Sequence, residues 1–198
     1  MGGVTRHPWR VKSSTQHKTG RFTVTVDEIQ SPDGSRDLTW TYIQARHAVI
    51  VMAVDAQERV LLVREYRHPM GGDVLNLVAG AAHHCVSDEE LRSQAAQELA
   101  EEAGLLATKW DSIGSFCPVP SWTAADFHLY VARGLKGIEH RGHGAEWEEI
   151  EELVWVPAQQ LYEDVLQGLY CDGGLVTAVL WAVAKGLLRV SSAGLSGE

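Results

Sequence analysis

The predicted helix over residues 87–103 constrains this chain most, because it fixes both a secondary structure element and an unusual arrangement of charge. Ser87 is followed three residues later by Glu90, a pairing that is typical of the capping box at a helix N-terminus. Gly104 stands where a residue in the left-handed conformation commonly ends a helix. The helix carries six acidic residues against one arginine, so its negative charge requires an explanation.

Three of these acids, Glu98, Glu101 and Glu102, are spaced i, i+3, i+4 and therefore lie on one face of the final turns. The helix dipole favours cations at that end, and like charges four residues apart cost about 0.2–0.5 kcal/mol per pair in an exposed helix. Two interpretations follow: a solvated acidic face, or a site for a hard cation such as Mg²⁺, which takes carboxylate oxygens and leaves positions for phosphates. Ala95 and Leu99 lie on the other side and can face the core.

The composition excludes several classes of function. The chain has 198 residues, enough for one domain with a sizeable core, and a formal net charge of −9, which argues against a nucleic-acid-binding protein. No apolar run reaches the roughly 18 residues needed to span a membrane, and the polar N-terminus shows no secretory signal. Three cysteines at no metal-like spacing favour reduced thiols in a cytoplasmic protein.

The remaining sequence predicts short strands and two further helices. A Ser-Pro-Asp-Gly turn at residues 31–34 indicates an N-terminal hairpin. The predicted strands are residues 22–26, 40–44, 47–54, 60–63, 74–78, 113–116, 127–132 and 153–156, and the further helices are residues 157–166 and 174–187. This pattern favours a mixed-sheet α/β or α+β domain with a helix on each face.

The segment Gln97-Glu98-Leu99-Ala100-Glu101-Glu102-Ala103-Gly104-Leu105 resembles the end of the Nudix box, Arg-Glu-U-x-Glu-Glu-x-Gly-U, where U is aliphatic. Residues 75–80, Leu-Asn-Leu-Val-Ala-Gly, resemble the strand that enters the Ala-Gly turn of that family. The loop at residues 67–72 and the hairpin at residues 22–40 resemble the corresponding parts of ADP-ribose pyrophosphatases, and Trp155-Val156-Pro157 resembles the start of their C-terminal helices.

The resemblance covers about residues 9–187 and implies the Nudix fold, a mixed sheet sandwiched between helices with an N-terminal β-hairpin subdomain. On that basis residues 21–45 form a dimerisation hairpin and residues 46–187 form the Nudix domain. Residues 1–20 are expected to be a flexible N-terminus, and residues 188–198 a flexible tail. A homodimer is expected, because a lone two-stranded hairpin is only marginally stable in water.

The resemblance also implies a Mg²⁺-dependent pyrophosphatase, with Mn²⁺ as a substitute, that acts on a small molecule linked to a nucleoside diphosphate. ADP-ribose or a related nucleotide sugar would be hydrolysed to AMP, or another nucleoside monophosphate, and a sugar phosphate. By analogy, Glu98, Glu101 and Glu102 hold the metal together with the main-chain carbonyl oxygen of Ala79. Diphosphate hydrolysis needs charge neutralisation, an aligned water and a proton acceptor, so the chemistry agrees with an acidic face.

Substrate contacts are implied in the same way. Arg67 would bind a phosphate with its fork of donors; otherwise it is an ordinary surface arginine. Phe22 and Trp40 match the positions that stack on the adenine in this subfamily; the alternative is packing in the core or at a dimer interface.

The proton acceptor is expected in the acidic loop before the last strand. Glu148 falls where the subfamily has its catalytic glutamate, and Glu146 shares its face if the segment is extended. The alternative is a solvated run of charges, with the base elsewhere, at Glu101 or His84.

Several positions depart from the family pattern. Gln97 replaces the arginine of the box, and Asn76 replaces the strand glutamate before the Ala-Gly turn. The turn that contains His83-His84-Cys85 is about three residues longer than the pattern, and this cluster is either a polar loop or an added metal or substrate contact. Ala124-Ala125 stands where acidic residues are usual.

Three classes of function remain open after these departures. The favoured class is an ADP-ribose or nucleotide-sugar pyrophosphatase, since glutamates occupy all three metal positions. The second is a catalytically weak Nudix domain that binds a nucleotide in a biosynthetic or regulatory role. The third, a Nudix enzyme for mononucleotide triphosphates, is disfavoured by the N-terminal hairpin.

Overall fold

The computed structural model describes residues 8–20, 22–82, 87–138 and 150–191, with backbone only at residues 150 and 151. The chain divides into two compact units. The first contains residues 1–46 and 119–125, and the second contains residues 47–118 and 126–198.

The first unit contains an antiparallel sheet of three strands in the order β1-β2-β3. The strands are β1, Arg10–Lys18; β2, Thr23–Gln30; and β3, Asp37–Gln44. The predicted hairpin is present as β2 and β3. The Asp33 carboxylate holds the turn by accepting hydrogen bonds from the Ser31 hydroxyl and from the N–H and hydroxyl of Ser35. These hydrogen bonds, with that from Ser31 the largest cause, lower the pKa of the Asp33 carboxyl to about 2.

Strand β1 corrects, for residues 10–18, the expectation of a flexible segment over residues 1–20, while residues 1–7 lie outside the described residues. Its residues pair with β2 along their length, from Arg10 opposite Gln30 to Lys18 opposite Thr23. Every residue of β1 is exposed, so the strand has no apolar alternation to reveal it. Backbone pairing with β2 therefore orders a segment whose side chains give no sign of burial.

The described residues of the second unit form seven strands and three α-helices. The strands are β4, Ala48–Ala53; β5, Arg59–Arg67; β6, Gly72–Asn76; β7, Val78–Ala81; β8, Leu105–Phe116; β9, Phe127–Gly137; and β10, Ile150–Pro157. The helices are α1, Asp88–Ala103; α2, Ala158–Leu166; α3, Gly173–Ala184; and a 3₁₀ turn, His68–Met70. The strands form two sheets, β10-β5-β6 and β7-β4-β9-β8, and the parallel pairing of β4 with β9 makes the second sheet mixed.

Strand β4 has one face toward α1 and the other toward α2 and α3. Val49, Val51 and Ala53 belong to the core cluster that contains the buried side of α1. The alternate residues of β4 pack in a second cluster with α2 and α3. Because successive side chains of a strand point to opposite faces, this arrangement confirms the mixed sheet sandwiched between helices.

The C-terminal residues also differ from the expected flexible tail. Leu188 is buried in the core cluster of α2 and α3. The Ser191 N–H donates to the Gln159 side chain at 2.7 Å. The apolar contact of Leu188 therefore extends the ordered chain to residue 191, and residues 192–198 lie outside the described residues. Among the described helices, none is long and apolar enough to cross a membrane.

Helix α1 begins and ends as its sequence predicts. The Ser87 side chain accepts a hydrogen bond from the Glu90 N–H, and the Glu90 carboxylate accepts one from the Ser87 N–H at 2.9 Å. Gly104 ends the helix in the left-handed conformation, with φ at 64°. The capping box is confirmed, and it fixes the first turn of the helix that carries the three glutamates.

Ser87→Ala should lower the free energy of unfolding by about 1 kcal/mol, because it removes the side-chain oxygen that caps α1. Chemical denaturation measures this change. Ser93→Ala, at an exposed position of the same helix, is the matched control and should change the free energy by less than about 0.5 kcal/mol. Equal effects of the two variants would contradict a stabilising role for the cap.

Candidate functional site

The carboxylate of Glu98 lies directly against the backbone of Gly80. A Cβ placed on Gly80 would overlap the Glu98 carboxylate, so glycine at residue 80 leaves the space that this carboxylate occupies. Gln94, one turn earlier in α1, donates from its side-chain amide to Glu98 Oε1 at 2.7 Å. Two contacts thus orient an acidic side chain over Ala79 and Gly80, the pair expected from the sequence to form the Ala79-Gly80 turn, which the structure places within strand β7.

Glu102 meets the same turn from the next part of the helix. Its side chain is almost fully buried, with 6% of the residue exposed. The Ala79 N–H donates to Glu102 Oε2 at 3.3 Å. Burial of a charged carboxylate is costly, and functional sites are places where such burial is common.

Glu101 has a different neighbour. Gln97 donates from Nε2 to Glu101 Oε1 at 2.8 Å, so the residue that replaces the family arginine still contacts a glutamate of the box. An amide orients this carboxylate without neutralising it. Among the residues that the structure describes, no group of three or more histidine, cysteine or acidic side chains is gathered closely enough to hold a metal ion. Glu98 and Glu102 meet at the turn, whereas Glu101 is directed to Gln97.

The donor atoms near the turn are carboxylate and main-chain oxygens, which fit a hard cation such as Mg²⁺ or Mn²⁺. Glycine at residue 80 keeps open the space that the Glu98 carboxylate uses. Glu98, Glu102 and the Ala79 carbonyl are therefore a chemically suitable set for such an ion.

Arg67, the expected phosphate ligand, ends strand β5. One of its terminal nitrogens donates to Glu65 Oε1 at 2.5 Å, and Asn76 Nδ2 donates to the same oxygen at 2.5 Å. Glu65 and Asn76 are buried, with 5% and 6% of each residue exposed. Glu65 is not among the site residues predicted from the sequence. An acidic residue two positions after Val63, on the same face of the strand as Leu61 and Val63, is a sequence signal of a buried carboxylate.

Phe22 and Trp40, the expected adenine contacts, belong to the first unit. Phe22 immediately precedes β2, and Trp40 lies on β3 opposite Asp27. Both side chains are substantially exposed, at 44% and 46%. The expected catalytic residues Glu146 and Glu148 lie outside the described residues, as does the His83-His84-Cys85 cluster.

Two histidines lie near the same end of the mixed sheet. His128 on β9 and Gly80 on β7 are both opposite Val49 of β4, so they share one row across the sheet. The ring of His128 is 5.8 Å from that of His47, whose Nδ1 accepts the Asp126 N–H at 3.0 Å. Burial, and secondarily His47, lower the pKa of His128, which favours its neutral form.

Residues 44–170, more than half of the chain, match the NUDIX domain family. The chain belongs to the Nudix family. The acidic helix and its Ala-Gly turn therefore lie within a family domain, as the sequence predicted. Membership confirms the fold class, and the reaction of this particular chain is a separate question.

Curated relatives resemble the Nudix chain over most of its length. An ADP-ribose pyrophosphatase of Mycobacterium tuberculosis is 27% identical over 170 residues, 86% of this chain and 80% of that protein. A methanol dehydrogenase activator of Bacillus methanolicus is 26% identical, covering 83% and 86%. An ADP-ribose pyrophosphatase of Bacillus subtilis is 26% identical, covering 65% and 67%.

The fold of this Nudix chain also matches a solved structure. The crystal structure of an ADP compounds hydrolase superposes with a TM-score of 0.77 at 20% identity, covering 95% of this chain and all of the other. At that identity the match establishes the shared fold.

Gly80→Ala should weaken Mn²⁺ binding at least about tenfold, because the new Cβ would displace the Glu98 carboxylate. Isothermal titration calorimetry measures the affinity, and thermal denaturation checks the fold. Gly137→Ala is the matched control, since it also lies in a strand and its Cβ would meet open space. Wild-type Mn²⁺ affinity in a folded Gly80→Ala variant would remove Glu98 from the metal set.

Proposed function

We propose that the protein is a Mg²⁺-dependent pyrophosphatase that hydrolyses ADP-ribose or a related nucleotide sugar to AMP, or the corresponding monophosphate, and a sugar phosphate. The observation that carries the proposal is the convergence of Glu98 and Glu102 on the Ala79-Gly80 turn. The two relatives named ADP-ribose pyrophosphatase support the choice of substrate.

In this proposal the oxygens around the turn hold one or more divalent cations. Glu98, Glu101, Glu102 and the Ala79 carbonyl are the ligands, which requires Glu101 to leave or share its contact with Gln97. When bound, Mg²⁺, or Mn²⁺ in its place, supplies charge neutralisation at the phosphate oxygens. The protein contributes a rigid helix face, which holds Glu98 and Glu102 beside Ala79 and Gly80 before substrate arrives.

The other assigned residues act on the substrate itself. Arg67 donates hydrogen bonds to a non-bridging phosphate oxygen, where a planar guanidinium fits well. Trp40 and Phe22 stack on the adenine ring, and their exposure is consistent with that role. Glu148 accepts the proton of the attacking water; Glu146 and Glu101 are the alternative bases.

The proposal includes a homodimer in the cytoplasm, acting on a small-molecule partner. The sheet of the first unit leaves Val11 and Leu38 more than 40% exposed, which supports an interface there. Cys171 is a free thiol, consistent with a reducing compartment.

A second candidate function is nucleotide binding in a regulatory role with little turnover. Gln97 supports it, since an amide replaces the cation of the box. The relative named methanol dehydrogenase activator supports it as well. A substrate panel of ADP-ribose, nucleotide sugars, dinucleotides and triphosphates, run with Mg²⁺ or Mn²⁺ beside calorimetric binding, separates the two. Cleavage of ADP-ribose supports the enzyme, whereas binding without turnover supports the regulatory role.

Glu102→Gln should lower the rate of ADP-ribose hydrolysis at least about 10²-fold, because it removes a charge that holds the cation facing the phosphates. Release of AMP at saturating Mg²⁺ measures the rate. Glu89→Gln, an exposed acid in the first turn of the same helix, is the matched control and should keep the wild-type rate. Near wild-type activity of Glu102→Gln would overturn the metal assignment.

Glu148→Gln should lower kcat by about 10²–10⁴-fold with KM little changed, the usual contribution of a general base. Glu146→Gln should have a smaller effect. Steady-state kinetics with ADP-ribose separates kcat from KM for both variants. Full kcat in both would assign the base to another residue.

A further inference from the structure

Strands β5 and β6 carry a polar cluster within an otherwise apolar pairing. Val60 to Val63 of β5 are fully buried apolar residues, yet the next buried residue of the strand is Glu65. Arg67 and Asn76 both donate to the same carboxylate oxygen, Oε1, at 2.5 Å. A buried charge is costly unless it is paired and hydrogen-bonded, and both conditions are met here.

The polar cluster lies on the face of β5 whose apolar residues share a core cluster with the acidic helix α1. Residues two apart in a strand share a face, so Glu65 and Arg67 lie on the face of Leu61 and Val63. Those two residues pack in the core cluster that contains the buried side of α1. Asn76 is directly opposite Val63 in the β5–β6 pairing and shares that face. The polar cluster thus continues, toward the end of β5, the row of residues that shares a core cluster with α1.

The two donors have unequal surroundings. Asn76 is buried, and its Oδ1 has no hydrogen-bond partner among the described residues, so its amide contributes as a donor to Glu65. One terminal nitrogen of Arg67 contacts the buried Glu65 carboxylate, and 34% of the Arg67 side chain is exposed. A guanidinium carries five N–H donors, which allows it to hold Glu65 and an anion together.

We propose that Glu65 is a positioning residue. Anchored by Asn76, its carboxylate fixes the Arg67 guanidinium so that the remaining donors are already oriented toward the diphosphate of a nucleotide. Glu65 also partly cancels the positive charge of Arg67, so its contribution is orientation rather than attraction. The inference rests on the proposed function for the identity of the ligand.

Two conservative variants separate position from charge. Glu65→Asp keeps the charge and withdraws the anchor by one methylene, whereas Glu65→Gln keeps the length and removes the charge. If Glu65 acts by positioning, Glu65→Asp should bind ADP about tenfold more weakly, because a small displacement of a binding group lowers affinity. Glu65→Gln should change ADP affinity by no more than about threefold. If charge alone mattered, Glu65→Gln would bind ADP more tightly and Glu65→Asp would match wild type.

The experiment measures ADP affinity by calorimetry with Mg²⁺, and KM and kcat for ADP-ribose. Glu65→Asp should raise KM about tenfold with a smaller change in kcat, and in an Arg67→Ala background it should have no further effect. Glu152→Gln is the matched control: it removes the partner of Arg64, the neighbour of Glu65 on β5, and should leave ADP affinity unchanged. Thermal denaturation identifies variants that lose only stability.

The outcomes distinguish this inference from the proposed function. Loss of ADP affinity in Arg67→Ala and Glu65→Asp without any turnover of ADP-ribose would refute the enzyme and retain the positioning role. Normal turnover of ADP-ribose with unchanged ADP affinity in Glu65→Asp would support the enzyme and refute the positioning role. Additive losses in the double variant, or a lower melting temperature with wild-type affinity, would also overturn the positioning role.

Discussion

The close approach of helix α1 to strand β7 is the contact on which the candidate site depends. Ala95 and Leu99 are fully buried in one core cluster with Val78, so the helix is pressed against the sheet by apolar packing. Because residue 80 is glycine, the Glu98 carboxylate has room against β7, and an added Cβ would push that side chain aside. The acidic face is therefore held by the core rather than by a loop.

Local signals made much of this predictable. Ser87 and Gly104 mark the ends of α1 because capping depends on residues close in sequence. The apolar run at residues 47–54 predicted a strand, and β4 lies there. Strand β1 had no such signal, because its side chains are all exposed and its order comes from pairing with β2. The contact of Glu65 with Asn76 joins different strands, and sequence spacing does not specify such register.

The features that assign the chain to its family are not the residues that would determine its reaction. The match of residues 44–170 establishes the Nudix family, and relatives of this chain are named both as ADP-ribose pyrophosphatases and as a methanol dehydrogenase activator. The residues that would separate these roles are few. Gln97 keeps a contact with Glu101 while contributing no charge, so it preserves the geometry of the box and weakens its electrostatics. Activity then depends on whether a cation compensates for that lost charge.

A crystal structure with Mn²⁺ and ADP, using the anomalous signal of the metal, would show where the cation binds. We expect a Mn²⁺ peak beside Ala79 and Gly80, coordinated by Glu98 and Glu102 and facing the diphosphate. Mn²⁺ bound elsewhere, or ADP bound with no metal at the turn, would contradict the claim that this acidic face is the catalytic metal site.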